Sequence, residues 1–356
     1  MAKITLSTLA HSYLDNPKSD DDYALKPIDH IWEDGAAYAL LGPSGCGKTT
    51  LLNIISGLLK PSSGKILFDD FDVTDNDTST RNIAQVFQFP VVYDTMTVKE
   101  NLAFPLKNRG LDADYIEKRV SEIAKMISLD DILDKKTNGL TADMKQKISL
   151  GRGLVREDVN AILFDEPLTV IDPKMKWELR TQLKAIHQKL GHTMIYVTHD
   201  QTEALTFADK VIVMSDGGVV QIGTPTELFE KPEHTFVGYF IGSPGMNIIP
   251  AKVNGHKAII GDHEIILNDT YGKLDGKVEL GIRPEFIKFS NDPNALPITI
   301  NRIENVGHYK IARTRFQNHD INIIINEGDD FSKDMHGIIF DTEKINIYEN
   351  DWRVDP

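Results

Sequence analysis

Gly42-Pro43-Ser44-Gly45-Cys46-Gly47-Lys48-Thr49 follows an apolar run ending at Leu41 and opens a helical stretch from Thr49 through Ile55. The pattern is G-x-x-x-x-G-K-[ST], and each residue type in it has a use with a polyphosphate. Glycines let backbone N–H groups curl around phosphate oxygens, the helix start adds partial positive charge, and Lys48 brings a mobile cation to the terminal phosphates. Thr49 can offer its hydroxyl to Mg²⁺, and Thr50 continues the phosphate-binding segment. Cys46 reads as a small side chain filling the turn.

Ala161-Ile-Leu-Phe-Asp165-Glu166-Pro167 reads as a buried strand ending in two adjacent carboxylates. Successive strand side chains face opposite ways, so the pair suits two jobs: Asp165 holding Mg²⁺ through water, and Glu166 serving as base to an attacking water. A further apolar strand ends at His199-Asp200, where an imidazole could reach the terminal phosphate or that water. Gln88, after Gln85-Val-Phe, is a neutral polar group able to touch the metal or the water.

These groups need rigid elements to bring them together. Ala36–Leu41, Asn82–Phe87, Val159–Phe164, Thr193–Thr198 and Lys210–Met214 read as short buried strands. Those between 159 and 214 alternate with helical segments, as a parallel sheet requires. From about 97 to 150 the texture is helical, with apolar positions at three-to-four spacing in Tyr115–Ile127. After Gly242-Ser-Pro-Gly245 come short alternating segments split by Asn, Asp and Gly turns, which predict a separate all-β barrel or sandwich. Within it, His308-Tyr309-Lys310 and Arg313 could form a small anion or sugar site or simply a solvated polar face.

Asp and Glu number 53 against 39 Lys and Arg in 356 residues, a net charge of −14, which disfavours general nucleic-acid binding. The single cysteine excludes an internal disulfide framework and a four-cysteine zinc site, and a reducing cytoplasm fits best. No charged-then-apolar leader opens the chain, and no apolar run approaches the ~20 residues of a membrane-spanning helix, so a role at a membrane runs through a partner.

In order and spacing, Gly42–Thr49, Val86-Phe-Gln88, Leu163-Phe-Asp-Glu-Pro-Leu168, Val170-Ile-Asp172-Pro and Thr198-His199-Asp200-Gln-Thr-Glu-Ala204 resemble the ATP-binding subunits of ABC transporters. Pro225–Pro232, Phe236–Asn247 and Gly281-Ile-Arg-Pro-Glu285 are similar to the carbohydrate-uptake importers among them, with glycerol or glycerol phosphate a natural substrate class. The resemblance implies an α/β P-loop ATPase domain over residues 1–242, with a helical insertion over about 89–155, and an OB-like regulatory domain over 243–356. It implies ATP and Mg²⁺ as cofactors, adenine stacking on Tyr13 (Tyr23 being the weaker candidate), Gln88 as sensor of the γ-phosphate, Glu166 as base and His199 as switch histidine. Asp172 would lie in the loop meeting a second ATPase subunit. Two membrane permease subunits and, indirectly, a substrate-binding protein would complete an importer working peripherally at the cytoplasmic membrane face.

One segment departs from the pattern. The family signature Leu-Ser-Gly-Gly-Gln aligns with Leu140-Thr141-Ala142-Asp143-Met144. Its glycines normally approach the γ-phosphate bound by the opposite subunit. A carboxylate ~4 Å from a phosphate oxygen costs about 1 kcal/mol in a watery setting and about 4 when partly shielded. Asp143 would therefore weaken that site, unless it turns away to cap the next helix with Gln146 reaching back as in a capping box. Intact groups on the chain's own side beside an altered lent segment favour a heterodimer over a homodimer. The alternative is a regulatory subunit that binds ATP with little turnover of its own.

Overall fold

A computed structural model describes residues 2–293, 295–329, 331–332 and 335–356. They form two compact units, residues 1–225 and 226–356.

In the first unit, β1 (Ile4–His11), β2 (Leu25–Trp32), β4 (Ser63–Phe68) and β5 (Phe71–Asp72) form an antiparallel sheet in the order β2-β1-β4-β5. Pro27 is tolerated in β2 because that strand is an edge, with one ladder left unpaired. A six-stranded sheet combines β3 (Ala37–Leu41), β6 (Ile83–Val86), β7 (Ala161–Asp165), β8 (Met194–Thr198), β9 (Lys210–Ser215) and β10 (Gly218–Gly223) in the order β10-β9-β3-β8-β7-β6. All its pairings are parallel except β10 with β9. Both faces of β3 and β8 are buried throughout, which is why these strands read as unbroken apolar runs. The parallel strands end on one edge at Leu41, Asp165 and Thr198, where an open α/β sheet presents its ligand crevice.

Helix α1 (Lys48–Ser56) follows β3, and the short α2 (Thr78–Arg81) precedes β6. The buried Arg81 guanidinium donates to the Ile54 and Ile55 carbonyls, satisfying the end of α1. Next come α3 (Val98–Lys107), opened by a Thr97/Glu100 capping box, α4 (Ala113–Met126), capped by Asp112, and α5 (Ala142–Leu154). Buried Arg119 of α4 donates to the last carbonyls of α5, Leu154 and Val155, locking two helices together. Helices α6 (Pro173–Leu190) and α7 (Gln201–Phe207) connect β7 to β8 and β8 to β9.

The second unit begins earlier than the 242/243 boundary expected from composition, because α8 (Pro225–Glu230) and α9 (Thr235–Phe240) belong with the β-structure. The reason is Arg283. Its guanidinium, 2% exposed, donates to the carbonyls of Leu228, Phe229, Gly238 and Ile241 and lies 4.0 Å over the Phe229 ring. Burial lowers its pKa to about 10, so it remains a cation at neutral pH. The helix and loop of residues 226–242, which look like the tail of the first domain, are thereby fastened to the second. Arg283→Met is expected to orphan these carbonyls and cost about 3–5 kcal/mol in this unit. Denaturant unfolding and limited proteolysis between residues 226 and 245 read the effect; unchanged curves would mean water replaces the guanidinium.

From Asn247 onward the chain is antiparallel β throughout its described pairings: sheets of order β11-β14-β21-β22, β12-β13, β15-β20-β16 and β17-β18-β19. The strands are β11 (Asn247–Pro250), β12 (Lys252–Ile260), β13 (His263–Tyr271), β14 (Val278–Ile282), β15 (Ile287–Ser290), β16 (Leu296–Pro297), β17 (Thr299–Asn305), β18 (Tyr309–Phe316), β19 (His319–Asn326), β20 (Gly337–Phe340), β21 (Asn346–Glu349) and β22 (Trp352–Arg353). Inward residues such as Ile249, Leu280, Ile321, Ile323 and Ile347 fill one core. His308, Tyr309 and Lys310 line a polar pocket there, but Arg313 does not offer a free cation: Glu304 and Asn322 hold its guanidinium.

Candidate functional site

The cradle is built where β3 runs into α1. Gly47, the residue capping α1, has φ +98°, and a Cβ there would sit 2.4 Å from the Ala24 carbonyl oxygen. At Gly42 a Cβ would lie 2.3 Å from the Met214 carbonyl oxygen, so neighbouring strands hold the loop from behind. Only glycine fits either place. Pro43, Ser44 and Gly45 are exposed at the rim, whereas Cys46 is buried beneath it with its thiol pKa pushed up by burial. That is the behaviour of a packing residue rather than a reactive one. Lys48 is 5% exposed, and its Nζ donates to the carbonyls of Gly42 and Pro43, each at 2.8 Å, which anchors the cation across the loop.

Asp165 at the end of β7 meets the start of α1 directly: its Oδ1 accepts from Thr49 Oγ1 at 3.2 Å. Burial is the main cause raising the Asp165 pKa and the Glu166 charge adds to it, against the Thr49 hydrogen bond and the Lys48 charge. A hydroxyl and a desolvated carboxylate side by side suit Mg²⁺, which takes oxygen ligands and keeps several waters; among the described residues no larger cluster of metal-ligating side chains occurs. Gln88 lies just after β6, on the same edge of the sheet.

Glu166 has φ +46°, a left-handed backbone uncommon for a side chain of this size and often found at functional sites. Its Oε2 lies 3.1 Å from His199 Nδ1 and accepts from Thr169 Oγ1 at 3.2 Å. Carboxylate and imidazole, 33 positions apart in sequence, are thus in hydrogen-bond contact. Tyr13 is 67% exposed, with its hydroxyl 3.2 Å from Thr50 Oγ1 and its ring edge-on to His11 at 4.7 Å. An aromatic face therefore stands free beside the phosphate-binding helix.

The family description "ABC transporter" matches residues 25–169, and "MalK OB fold domain" matches 242–287. The sn-glycerol-3-phosphate import ATP-binding protein UgpC of Jannaschia sp. (strain CCS1) is 37% identical over 87% of this chain and 87% of its own length. Its namesake in Escherichia coli (strain K12) is 40% identical over 82% of this chain and 83% of its own. The chain belongs to the ATP-binding subunits of ABC transporters. Among solved structures, cbiO1 from Clostridium perfringens, part of the ABC transporter complex cbiONQ, is 32% identical with a TM-score of 0.58 over 64% of this chain and 90% of its own. The ATP-binding cassette MJ0796, solved as a post-hydrolysis dimer with ADP and Pi, is 29% identical with a TM-score of 0.55 over 62% of this chain and 98% of its own. The fold is accordingly a P-loop ABC ATPase domain followed by a MalK-type OB domain, and the chain is an ATP hydrolase of transport that uses ATP with Mg²⁺.

In this ABC subunit Asp143 is not the cap of α5. Thr141 caps α5, accepting from the Met144 N–H, and Ala142 is the first helical residue. Asp143 sits within the first turn and instead accepts from the Asp172 N–H at 3.4 Å. Asp172 itself caps α6, accepting from the Lys174 N–H. Gln146 does not reach back as a capping-box partner. It is fully buried, and its Nε2 donates to the carbonyls of Phe87 and Pro167 at 3.0 and 2.8 Å. The residues next to Gln88 and next to Glu166 are thus held by one amide, a function that reading Gln146 as a cap concealed.

Proposed function

We propose that this chain energises import of a small polyol or its phosphate, glycerol and sn-glycerol 3-phosphate being the favoured class, through two membrane permease subunits and, indirectly, a substrate-binding protein. Its similarity to sn-glycerol-3-phosphate import ATP-binding proteins supports the substrate class. Among the described residues no helix is long and apolar enough to cross a membrane, which is in keeping with a peripheral subunit working at the cytoplasmic face through those partners.

One observation carries the mechanism: Thr49 against Asp165 and Glu166 against His199 lie on the same sheet edge as the Gly42–Lys48 loop. Loop N–H groups and Lys48 bind the phosphates, Tyr13 stacks the adenine, and Thr49 and Asp165, with Gln88 nearby, hold Mg²⁺. When bound, Mg²⁺ neutralises charge developing on the phosphoryl oxygens. Glu166 accepts the proton of the attacking water, and His199 keeps that carboxylate oriented. The Glu166–His199 contact favours this over an ATP-binding regulatory subunit with little turnover, which has no chemical need for an oriented base.

The working dimer is a heterodimer: a homologous cassette with an ordinary signature completes this chain's site across the loop of Asp172 and receives Thr141-Ala142-Asp143 in return. ATP-dependent uptake of labelled glycerol and sn-glycerol 3-phosphate into proteoliposomes tests the transport reading. For the dimer, the purified chain alone is expected to hydrolyse ATP far more slowly than the assembled transporter. Asp143→Gly is expected to raise nucleotide affinity at the site it completes by about tenfold or more. A homodimer with the transporter's full, cooperative rate would contradict the heterodimer.

A further inference from the structure

Glu203 has no part in the roles assigned above, although it is a carboxylate only 3% exposed in the first turn of α7. Such a group persists in a core only when its oxygens are satisfied. Its Oε2 accepts from Thr198 Oγ1 at 2.8 Å and from Tyr196 Oη at 3.1 Å. The Tyr196 phenol, driven well above its ordinary pKa by burial and by Glu203, keeps its proton and stays a donor. Thr198 Oγ1 accepts in turn from the Asp200 N–H at 3.0 Å, and Asp200 Oδ1 accepts from the Glu203 N–H. The residues on both sides of His199 are therefore tied to one buried carboxylate.

The other oxygen of Glu203 faces a different element. Lys176 Nζ stands 3.9 Å from Oε1, and Lys176 lies in the first turn of α6, its N–H donating to the Asp172 carbonyl. Asp172 is the cap that also binds Asp143. Contacts thus run without a break from the signature segment through α6 and Glu203 to His199 and Glu166.

We infer that Glu203 is a positioning residue: it holds His199 within reach of Glu166 and makes that placement depend on where the start of α6 sits, through Lys176. A displacement of the Asp172 end of α6 pulls on the Lys176–Glu203 pair, and the carboxylate passes it to Thr198 and the backbone at His199. The inference rests on His199 and Glu166 acting in hydrolysis.

The test is steady-state ATP hydrolysis by the assembled transporter carrying Glu203→Gln, Lys176→Met, both together, and each in a His199→Ala background. Each single change is expected to lower kcat by about fivefold or more with KM for ATP within about twofold. The double variant is expected to be no worse than Glu203→Gln, since both remove one pair, and neither change should add to the loss in His199→Ala. Unchanged kcat in both singles, or losses that multiply, would overturn the inference. Should Glu203→Gln fail to fold in a thermal melt, Lys176→Met decides alone, because its side chain reaches the surface: a loss confined to kcat supports the role and an unaltered kcat overturns it. If His199→Ala itself keeps the wild-type rate, the catalytic reading of His199 falls instead.

Discussion

Glu166→Gln in the assembled transporter is expected to lower ATP turnover by on the order of 10²–10⁴-fold while nucleotide still binds and stays trapped. The amide keeps the shape of the carboxylate, and its oxygen can still accept from Thr169 Oγ1, but it cannot take a proton from water. Binding should not suffer, for an electrostatic reason. The Asp165 pKa is raised chiefly by burial and further by the neighbouring Glu166 charge, so removing that charge lets Asp165 ionise at lower pH. In the variant the acid limb of Mg²⁺-nucleotide binding should therefore move to lower pH, the opposite of what loss of a metal ligand would do. Single-turnover hydrolysis and nucleotide retention across pH measure both effects. Turnover equal to wild type would place the chemistry in the partner cassette.

Much of this site was legible in the sequence because its parts are local. A strand, a glycine turn and a helix in succession fix the geometry of Gly42–Thr49, and the short buried strands β7 and β8 fix where Asp165, Glu166 and His199 emerge. What was not legible depends on long-range packing. The β2-β1-β4-β5 sheet went unread because Pro27 and the register shifts in β1 break the alternation that marks a strand. That α8 and α9 pack with the β-structure was not legible because the contact that holds them comes from Arg283, far along the chain. Asp143 and Gln146 looked like a helix cap and its capping-box partner, a short polar side chain followed three residues later by glutamine. Asp143 has its partner 29 positions away at Asp172, and Gln146 spans to Phe87 and Pro167, distances that no local pattern reports. The Glu203 network escaped notice for the same reason. A glutamate after His199-Asp200 reads as a surface residue of a helix first turn, whereas the fold buries it beneath β8.

If magnesium nucleotide held by this chain's own loop drives the transporter, Lys48 is the residue whose loss is felt most. Its ammonium is nearly buried and fixed by two carbonyls, so it is already in place to meet phosphate charge, and replacing it removes a preorganised cation. In proteoliposomes containing the complete permease, Lys48→Ala is expected to cut ATP-driven uptake by on the order of 10²–10³-fold, with the subunit still folding cooperatively in a thermal melt. Uptake at the wild-type rate with Lys48 removed would contradict the account.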